Sequence, residues 1–456
     1  MITPPSTRLS FKEKFAYGLG DTASNFYFQA FNLFLAYYYT DIFGLPSAAV
    51  GTLLFIVPIA VAALNPVVGL LADRTNTRWG KFRPWILWGA LPYGVLGYVM
   101  FANPNLGPDG KLLYAYATYT AVLIAYVVIN TPYGALMGVM SPSSEDRTSL
   151  SSYCFACAFL GALLIGWLVP YLKDFLTPAG GAPADGFRNT MVIFAVLSVG
   201  MFIYTFANTK ERVTSAPPEK GSLGRDLGDL TRNGPWLVLF FVAFLNLTNT
   251  GMRNGAGIYY FKYVVGQESA IGTFNLVGFL CFIAGALATK LFTARWSRRS
   301  LMIWLTIINA LGIGACYIVD PQNLPLLYAL NIIASFAAGP TPAIVWSMYA
   351  DTADFGDWKF GHRATGLIFS ATVFVQKVGL AIGAATIGWL LAYYGFEANA
   401  VQTPRVTHGI TLLFSLLPGA FALLAGVAMF FYPLDETQVK QMERELATRK
   451  ETPATA

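Results

Sequence analysis

The sequence predicts an all-α membrane protein in which twelve transmembrane helices form two pseudo-symmetric six-helix bundles. Of its 456 residues, 55% are hydrophobic and only 12% are charged, whereas soluble domains carry about 25% charged residues. A spanning helix needs roughly 20 apolar residues, and about twelve segments of that length follow one another along the chain. A weak internal repeat divides these segments into two sets of six.

Each predicted span is an apolar segment bounded by polar or charged residues. In chain order we expect spans at residues 15–43, 48–73, 84–103, 112–140, 149–172, 189–208, 234–265, 270–292, 300–319, 324–350, 364–393 and 408–432. The N-terminal bundle then covers 1–208, and the C-terminal bundle covers 234–433. The longest polar connection, 209–233, is predicted to be a cytoplasmic linker, and 434–456 a cytoplasmic tail.

Three short stretches of the first half have counterparts at equivalent places in the second half. Parallel repeats of six helices around a central cavity are typical of transporters. Chance matching is the alternative explanation for any one pair, but three pairs in order favour a true repeat. The pairs are YYTDIFG (38–44) with YFKYVVG (260–266), 77–79 with 294–296, and 131–132 with 341–342.

Lysine and arginine collect in alternate loops, for example in 74–83, 210–232 and 290–299. The positive-inside rule therefore predicts a multi-pass protein of the cytoplasmic membrane with both termini in the cytoplasm. The net charge of +6 does not indicate nucleic-acid binding, because the cations lie in short loops between spans. The expected partners are the lipid bilayer and a small molecule, and we expect a monomer.

Lys377 is the single charge near the middle of the predicted span 364–393. An ammonium group in hydrocarbon costs several kcal/mol or more, so such a lysine indicates a functional site beside a polar cavity. Arg253 has a similar position in the predicted span 234–265.

Polar and aromatic side chains inside the predicted spans are the candidates for substrate binding. Asp21, Asn25, Gln29 and Asn32 are spaced by 4, 4 and 3 residues, which places them on one helical face. Amides bind hydroxyl groups and aromatic rings cover the apolar face of a pyranose, so this mixture favours a sugar. The competing interpretation is that these residues only join helices to one another. The predicted substrate-binding set is Asn25, Gln29, Asn32, Tyr126, Asn130, Asn249, Arg253, Trp346, Gln376 and Lys377.

Two charged stretches at the cytoplasmic side are candidates for gating. Asp73 lies among clustered arginines and lysines, which can form a charge network that holds helix ends in one state and releases them in another. Residues 351–363 are predicted to form a charged loop before the span that carries Lys377. The predicted coupling and gating residues are Asp21, Asp73, Arg74, Arg78, Asp351, Asp354 and Arg363.

Enzymatic chemistry is not indicated. His362 and His408 are far apart, and no HExxH, Walker A or metal-ligand spacing occurs. Cys154 and Cys157 lie one turn apart inside a predicted span, where a redox or metal role is not favoured. We therefore expect no cofactor and no metal site.

The chain resembles the glycoside–pentoside–hexuronide:cation symporter family of the major facilitator superfamily over nearly its whole length. Three stretches carry the resemblance: YGLGD (17–21) followed by YYTD (38–41), RWGKFRPW (78–85), and DTADFGDWKFGHR (351–363) with Lys377 downstream. The resemblance implies twelve helices in two bundles, a sugar site between them and alternating access. It matches two sugar-binding acids to Asn25 and Asn130, and the family's functional lysine to Lys377.

The resemblance also implies a sodium site, whose ligand positions match Val61, Leu64, Asn65 and Val127. Three of these side chains have no oxygen, although a hard cation needs several oxygen ligands. We therefore expect a sugar or glycoside transporter that is proton-coupled through Asp21, or uncoupled, rather than sodium-coupled.

Four further hypotheses are compatible with the same residues. In the first, Asp21 pairs structurally with a cytoplasmic arginine. In the second, the cations Arg253 and Lys377 favour an anionic sugar such as a hexuronide. The third is a transporter of a lysolipid-like amphiphile, and the fourth is a sodium-coupled glycoside symporter with a displaced cation site. A receptor or enzyme would need a soluble domain or catalytic cluster, and the sequence shows neither.

Overall fold

A computed structural model describes residues 9–141, 143–213, 228, 230–360 and 365–451. Within these ranges every extended regular element is a helix, and one isolated bridge joins Thr77 and Gly80. The prediction of an all-α protein is therefore confirmed.

The helices of the first half follow the predicted spans. Their bounds are α1 Phe11–Ala30, α2 Ser47–Ala62, α3 Asn65–Arg74, α4 Arg83–Met100, α5 Pro108–Met140, α6 Ser144–Phe175 and α7 Pro183–Asn208. Two wider π-helical turns, Phe31–Leu35 and Tyr38–Ile42, continue α1 toward its far end. The predicted span 48–73 is divided between α2 and α3 close to Pro66, because proline cannot donate the hydrogen bond that a continuous helix requires.

The second half has more interruptions than the sequence suggested. Its helices are α8 Gly234–Tyr259, α9 Ala270–Leu287, α10 Thr289–Thr293, α11 Arg298–Ala315, α12 Leu324–Ala338, α13 Thr341–Phe360, α14 Thr365–Tyr394, α15 Pro404–Phe414, α16 Leu416–Ala428 and α17 Glu436–Glu451. A π-helical turn, Tyr260–Val265, follows α8. The predicted span 324–350 is interrupted between α12 and α13, at Gly339 and Pro340.

Nine helical segments of the described residues are long and apolar enough to cross a membrane. They are Ser47–Arg74, Pro108–Met140, Ser149–Phe175, Pro183–Asn208, Gly234–Val265, Ala270–Leu287, Leu324–Phe360, Leu367–Tyr394 and Pro404–Phe431. The other three predicted spans, 15–43, 84–103 and 300–319, are largely helical but lie outside this set. The count of twelve stays a prediction.

The prediction of a loop at 351–363 is wrong for residues 351–360, because α13 continues through Phe360. Contacts with residues remote along the chain hold this extension. Asp351 forms an ion pair with Arg298 at 2.9 Å, and the Trp358 indole N–H donates to Glu445 of α17 at 2.6 Å. The sequence pattern favoured a loop because both partners are remote along the chain.

The chain divides into two compact units. Unit 1 comprises Met1–Pro217, Gly257–Leu276 and Ile387–Val406, and unit 2 comprises Pro218–Ala256, Val277–Thr386 and Thr407–Ala456. Unit 1 thus joins the first half of the chain to two segments of the second half. The predicted domain boundaries at 208–209, 233–234 and 433–434 stay predictions, and most of the linker lies outside the described residues.

Helix α1 forms the centre of unit 1. Its Tyr17 stacks on Tyr133 of α5 with 4.5 Å between ring centroids, and each hydroxyl donates to the other residue's carbonyl oxygen. Gly18 lets α1 approach α6 closely, since a Cβ there would lie 2.7 Å from the Cys157 sulfur. Close packing against α6 therefore holds α1 beside the face that carries Asp21 and Asn25.

In unit 2, α8 and α14 cross at glycines. A Cβ on Gly379 would lie 2.8 Å from the Phe244 carbonyl oxygen, and one on Gly383 would lie 2.3 Å from that of Thr248. Small residues four apart permit such backbone contact between membrane helices. Because residue numbers rise together along this contact, α8 and α14 run parallel.

Asp146, before the predicted span 149–172, ties α6 to the start of α1. Its carboxylate accepts hydrogen bonds from the Leu9 N–H and the Ser141 hydroxyl, each at 3.1 Å, and pairs with Lys14 at 3.2 Å. Burial by itself raises the pKa of Asp146, but these donors outweigh it and lower the pKa below its usual value.

We expect Asp146→Asn to lower the free energy of unfolding in detergent by about 2 kcal/mol at pH 7, since it removes charge-assisted hydrogen bonds. Because the folded-state pKa is depressed, this stabilisation is complete above the unfolded-state pKa. The difference from wild type should therefore shrink as pH falls below about 4. The exposed Asp109 supplies the control, and Asp109→Asn should change stability by less than about 0.5 kcal/mol. If the difference in stability between wild type and Asp146→Asn did not depend on pH, the lowered pKa of Asp146 in the folded protein would be contradicted.

Candidate functional site

The polar residues predicted on α1 lie on one half-exposed face in the structure, whereas Thr22, Phe26 and Tyr27 beside them are buried. The Asn25 amide donates to the Asp21 carbonyl oxygen at 2.9 Å and lies 3.4 Å from its carboxylate. The Asn32 amide, in the first π-helical turn, donates to the Phe28 carbonyl oxygen. These bonds leave the amide oxygens of this face available to a ligand. The full face is Asp21, Asn25, Gln29 and Asn32.

Helix α5 presents Tyr126 and Asn130 to unit 1's polar face. The Tyr126 ring stacks on Phe28 of α1, with 6.1 Å between centroids and 20° between planes. The Asn130 amide donates to the Tyr126 carbonyl oxygen at 3.0 Å. The structure therefore brings the predicted residues of α1 and α5 together, with an aromatic pair beside the amides.

Asp21 has neutral neighbours. Besides Asn25, the thiol of Cys154 lies next to its carboxylate, and this thiol shares a hydrogen bond with the Tyr133 hydroxyl at 3.3 Å. No lysine or arginine in the described part of the chain forms a salt bridge with Asp21. The hypothesis of a structural ion pair with a cytoplasmic arginine therefore has no support among those residues.

The four positions matched to a sodium site lie on α2, α3 and α5 or next to them. Val61 and Val127 are buried apolar side chains. The Asn65 side-chain oxygen accepts a hydrogen bond from Thr131 at 3.0 Å, and its amide donates to the Ala62 carbonyl oxygen. The single side-chain oxygen of this set is therefore engaged within the protein. In the described residues, no group of three His, Cys, Asp or Glu side chains is arranged to hold a metal ion.

In unit 2, the predicted binding residues of α8 are Asn249 and Arg253, one turn apart. Asn249 is 5% exposed, and its side-chain oxygen accepts no hydrogen bond from the described residues. A guanidinium nitrogen of Arg253 donates to Asn331 at 3.0 Å, and the group lies 5.6 Å from the Phe414 ring centroid. Arg253 thus has neutral partners and keeps donors available.

Helix α14 carries Gln376 and Lys377, both half-exposed. Lys377 forms no salt bridge or hydrogen bond with any part of the chain that the structure describes. Trp346 of α13 stacks on Phe369 of α14, with 5.6 Å between ring centroids and 10° between planes. The two helices therefore hold an aromatic platform and an unpaired ammonium group within one unit.

The predicted gating residues have different surroundings. Asp73, Arg74 and Arg78 are exposed, and the described residues form no ion pair with them. The charge network predicted there stays a prediction. Asp351 pairs with Arg298, while Asp354 lies on the helical extension of α13 and Arg363 falls outside the described residues.

Sequence reasoning missed a cluster at the far end of α1. The buried carboxylate of Asp41 forms an ion pair with Lys262 at 2.8 Å and accepts a hydrogen bond from Tyr263. The available signal was the repeat itself, because 38–44 and 260–266 each carry one side of this contact.

Comparisons with known proteins show which family this chain is similar to. A family model described as "MFS/sugar transport protein" matches residues 16–436. The chain is 35% identical over 446 residues to the "Inner membrane symporter YicJ" of Escherichia coli, covering 97% of this chain and 96% of that protein. It is 30% identical to the "Isoprimeverose transporter" of Lactiplantibacillus pentosus, covering 94% of this chain and 90% of that protein. It is 31% identical to the "Glucuronide carrier protein homolog" of Escherichia coli, covering 97% of each.

Solved structures show the same fold at low sequence identity. The crystal structure of a D-xylose-proton symporter aligns with a TM-score of 0.64 at 15% identity, covering 93% of this chain and 98% of that one. A structure of a proton-dependent oligopeptide transporter aligns with a TM-score of 0.69 at 12% identity, covering 96% of this chain and 100% of that one. At these identities the likeness concerns the fold alone.

We expect Lys377→Ala to reduce transport by at least about tenfold, equal to about 1.4 kcal/mol, because it removes an unpaired cation from the candidate site. Thermal unfolding in detergent should change little, since Lys377 makes no polar contact with the described residues. The exposed Lys290 on α10 supplies the control, and Lys290→Ala should transport like wild type. Full activity of Lys377→Ala would remove this lysine from the mechanism.

Proposed function

Because this chain belongs to the MFS/sugar transport protein family, we propose that it moves a sugar or glycoside across the cytoplasmic membrane by alternating access. The observation that carries this proposal is the polar and aromatic face of α1 and α5. Asn25 and Asn130 supply amides for hydroxyl groups, and Phe28 with Tyr126 supplies ring faces for a pyranose. The relatives named for isoprimeverose and glucuronide transport support the same class of substrate.

Unit 2 supplies a second group of candidate binding residues. Asn249 has a buried oxygen without a donor among the described residues, which a substrate hydroxyl can satisfy. Trp346 offers an aromatic face, and Lys377 offers an ammonium group. In our proposal this second group contributes to sugar binding as well.

We propose that transport is coupled to a proton at Asp21, or is uncoupled, rather than coupled to sodium. Neutral neighbours let Asp21 exist in both protonation states, whereas a permanent cation would keep it ionised. The positions Val61, Leu64 and Val127 offer no side-chain oxygen, and Asn65 is already hydrogen-bonded to Thr131. A sodium ion would therefore lack the ligands it needs there.

An acidic sugar is the second candidate substrate. No carboxylate of the described residues pairs with Arg253 or Lys377, so an anion could satisfy either cation. The parallel contact of α8 with α14 at Gly379 and Gly383 places the two cations at different depths. They are separated by roughly 13 Å along the helices at 1.5 Å per residue. A single carboxylate would therefore contact only one of them.

The proposed setting is the cytoplasmic membrane, with both termini in the cytoplasm and the protein acting as a monomer. The alternate distribution of lysine and arginine among the loops supports this orientation. The proposed two halves of six helices meet at the linker 209–233.

Counterflow of radiolabelled glycosides into proteoliposomes tests the substrate class. We expect exchange of at least one pentoside, hexoside or glucuronide, and competition by unlabelled sugar. A glucuronide that outcompetes its neutral glucoside would favour the acidic candidate. Failure with every mono- and disaccharide tried, or movement of a lysophospholipid instead, would contradict the proposal.

We expect Asp21→Asn to abolish sugar accumulation driven by a proton gradient while counterflow continues, because the amide cannot take up a proton. Wild type and variant are compared in the same proteoliposomes, with an inward pH gradient and then with an inward sodium gradient. Proton-driven accumulation that survives in Asp21→Asn would exclude this residue from coupling. Sodium-driven accumulation by wild type would contradict the interpretation of Val61, Leu64, Asn65 and Val127.

A further inference from the structure

The repeated stretches 38–44 and 260–266 have the same unusual conformation. Each forms a π-helical turn, Tyr38–Ile42 in the first and Tyr260–Val265 in the second. A left-handed glycine then follows each turn within two residues, Gly44 with φ 79° in the first and Gly266 with φ 78° in the second. Such wide turns are frequent at functional sites, and glycine tolerates a positive φ without steric cost. The binding and coupling roles proposed above do not involve these two turns.

The two turns bind each other within unit 1. Asp41 of the first turn and Lys262 of the second form an ion pair at 2.8 Å, and Tyr263 donates to the same carboxylate. One residue before Asp41, the Thr40 hydroxyl shares a hydrogen bond of 2.7 Å with Tyr259. The side chain of Asp41 has 0% exposure and that of Lys262 has 20%. The repeat has thus diverged into an acidic copy and a basic copy that meet.

Asn399 closes this contact from the segment between α14 and α15. Its amide donates to the Asp41 carbonyl oxygen at 2.6 Å, and its side-chain oxygen accepts from Lys262 at 2.8 Å. Its backbone N–H donates to the Tyr263 hydroxyl at 2.9 Å. Asn399 has φ 58°, a left-handed conformation that is strained for a residue other than glycine. Strain of this kind persists where surrounding contacts enforce it, and it is typical of functional sites.

A second ion pair lies beside the first. Lys173 at the end of α6 pairs with Glu268 at 2.8 Å, and the Tyr37 hydroxyl donates to the same Glu268 oxygen at 3.0 Å. Tyr37 also accepts a hydrogen bond from Lys262 at 3.1 Å. The two ion pairs are therefore linked through one tyrosine. We call this set the far-end cluster: Tyr37, Asp41, Lys173, Lys262, Tyr263, Glu268 and Asn399.

We propose that the far-end cluster is a gate, closed in this structure, that opens to admit sugar from the membrane face opposite the N-terminus. The inference rests on the proposed function, because alternating access requires the two halves of the chain to part on one face at a time. The cluster joins helices of the first half to residues 257–276 and 387–406 of the second half. These contacts must therefore separate in the other state.

An ion pair suits a contact that has to open and close repeatedly. Its attraction holds the closed state in one geometry, while hydration of both groups compensates much of that attraction once water enters. A purely aliphatic contact would expose apolar surface to water on opening, with no such compensation. The charged cluster therefore combines a specific closed state with a low net free energy of opening.

The gate is tested by the access of a thiol reagent to the polar face of α1. Gln29→Cys is introduced into a variant whose four native cysteines are replaced, in membrane vesicles of known orientation. A membrane-impermeant methanethiosulfonate reagent is added at the face opposite the N-terminus. We expect Asp41→Asn and Lys262→Met each to speed labelling by at least about tenfold, since removing one partner of a buried ion pair weakens the closed state strongly.

Asp185→Asn is the matched control. Asp185 pairs with Arg188 at 3.0 Å at the same membrane face, but both residues belong to α7. This ion pair does not join two halves of the chain, so its loss should leave labelling unchanged. The double exchange Asp41→Lys with Lys262→Asp should return labelling toward the slow rate, which a change in fold alone would not do.

Unchanged labelling in both folded single variants would overturn the gate, and so would an equal acceleration by Asp185→Asn. The measurement needs no sugar, so it separates the two proposals. Faster labelling without any sugar counterflow would defeat the proposed substrate class and leave the gate standing. Sugar counterflow with unchanged labelling would defeat the gate and leave the proposed substrate class standing.

Discussion

A charge inside an apolar helix needs a partner or water, because the hydrocarbon interior supplies neither. Three residues meet this constraint in different ways. Asp41 is enclosed and paired with Lys262, and Arg253 donates to the neutral Asn331. Lys377 is half-exposed and has no polar partner among the described residues. In our proposals, these differences separate a contact that closes a gate from a cation that is available to a substrate.

Close helix packing makes these positions possible. Gly18 lets α6 pack closely against α1, beside the half-exposed face that carries Asp21, Asn25 and Gln29. Gly379 and Gly383 do the same for α14 against α8. Contacts that only small residues permit thus hold the helices that carry these polar side chains.

The candidate site differs from the pattern of the family it resembles. Amides occupy Asn25 and Asn130, where the resemblance implies sugar-binding acids, and valine or leucine occupies three sodium-ligand positions. Amides still bind hydroxyl groups but carry no charge, so the remaining carboxylate of the α1 face is Asp21. Family membership establishes a transporter rather than an enzyme. The departures at Asn25 and Asn130 concern positions matched to sugar binding, and those at Val61, Leu64 and Val127 concern positions matched to the coupling ion.

The sequence by itself determined the helical class, the transporter family and the polar face of α1, because apolar length and side-chain spacing are local properties. It also contained the repeat at 38–44 and 260–266. Only the tertiary structure decided that Asp41 meets Lys262, that Asn65 bonds to Thr131, and that α13 continues to Phe360. Each depends on a partner remote along the chain, such as Lys262, which is 221 residues from Asp41. Local patterns cannot specify which remote side chain will satisfy a buried charge.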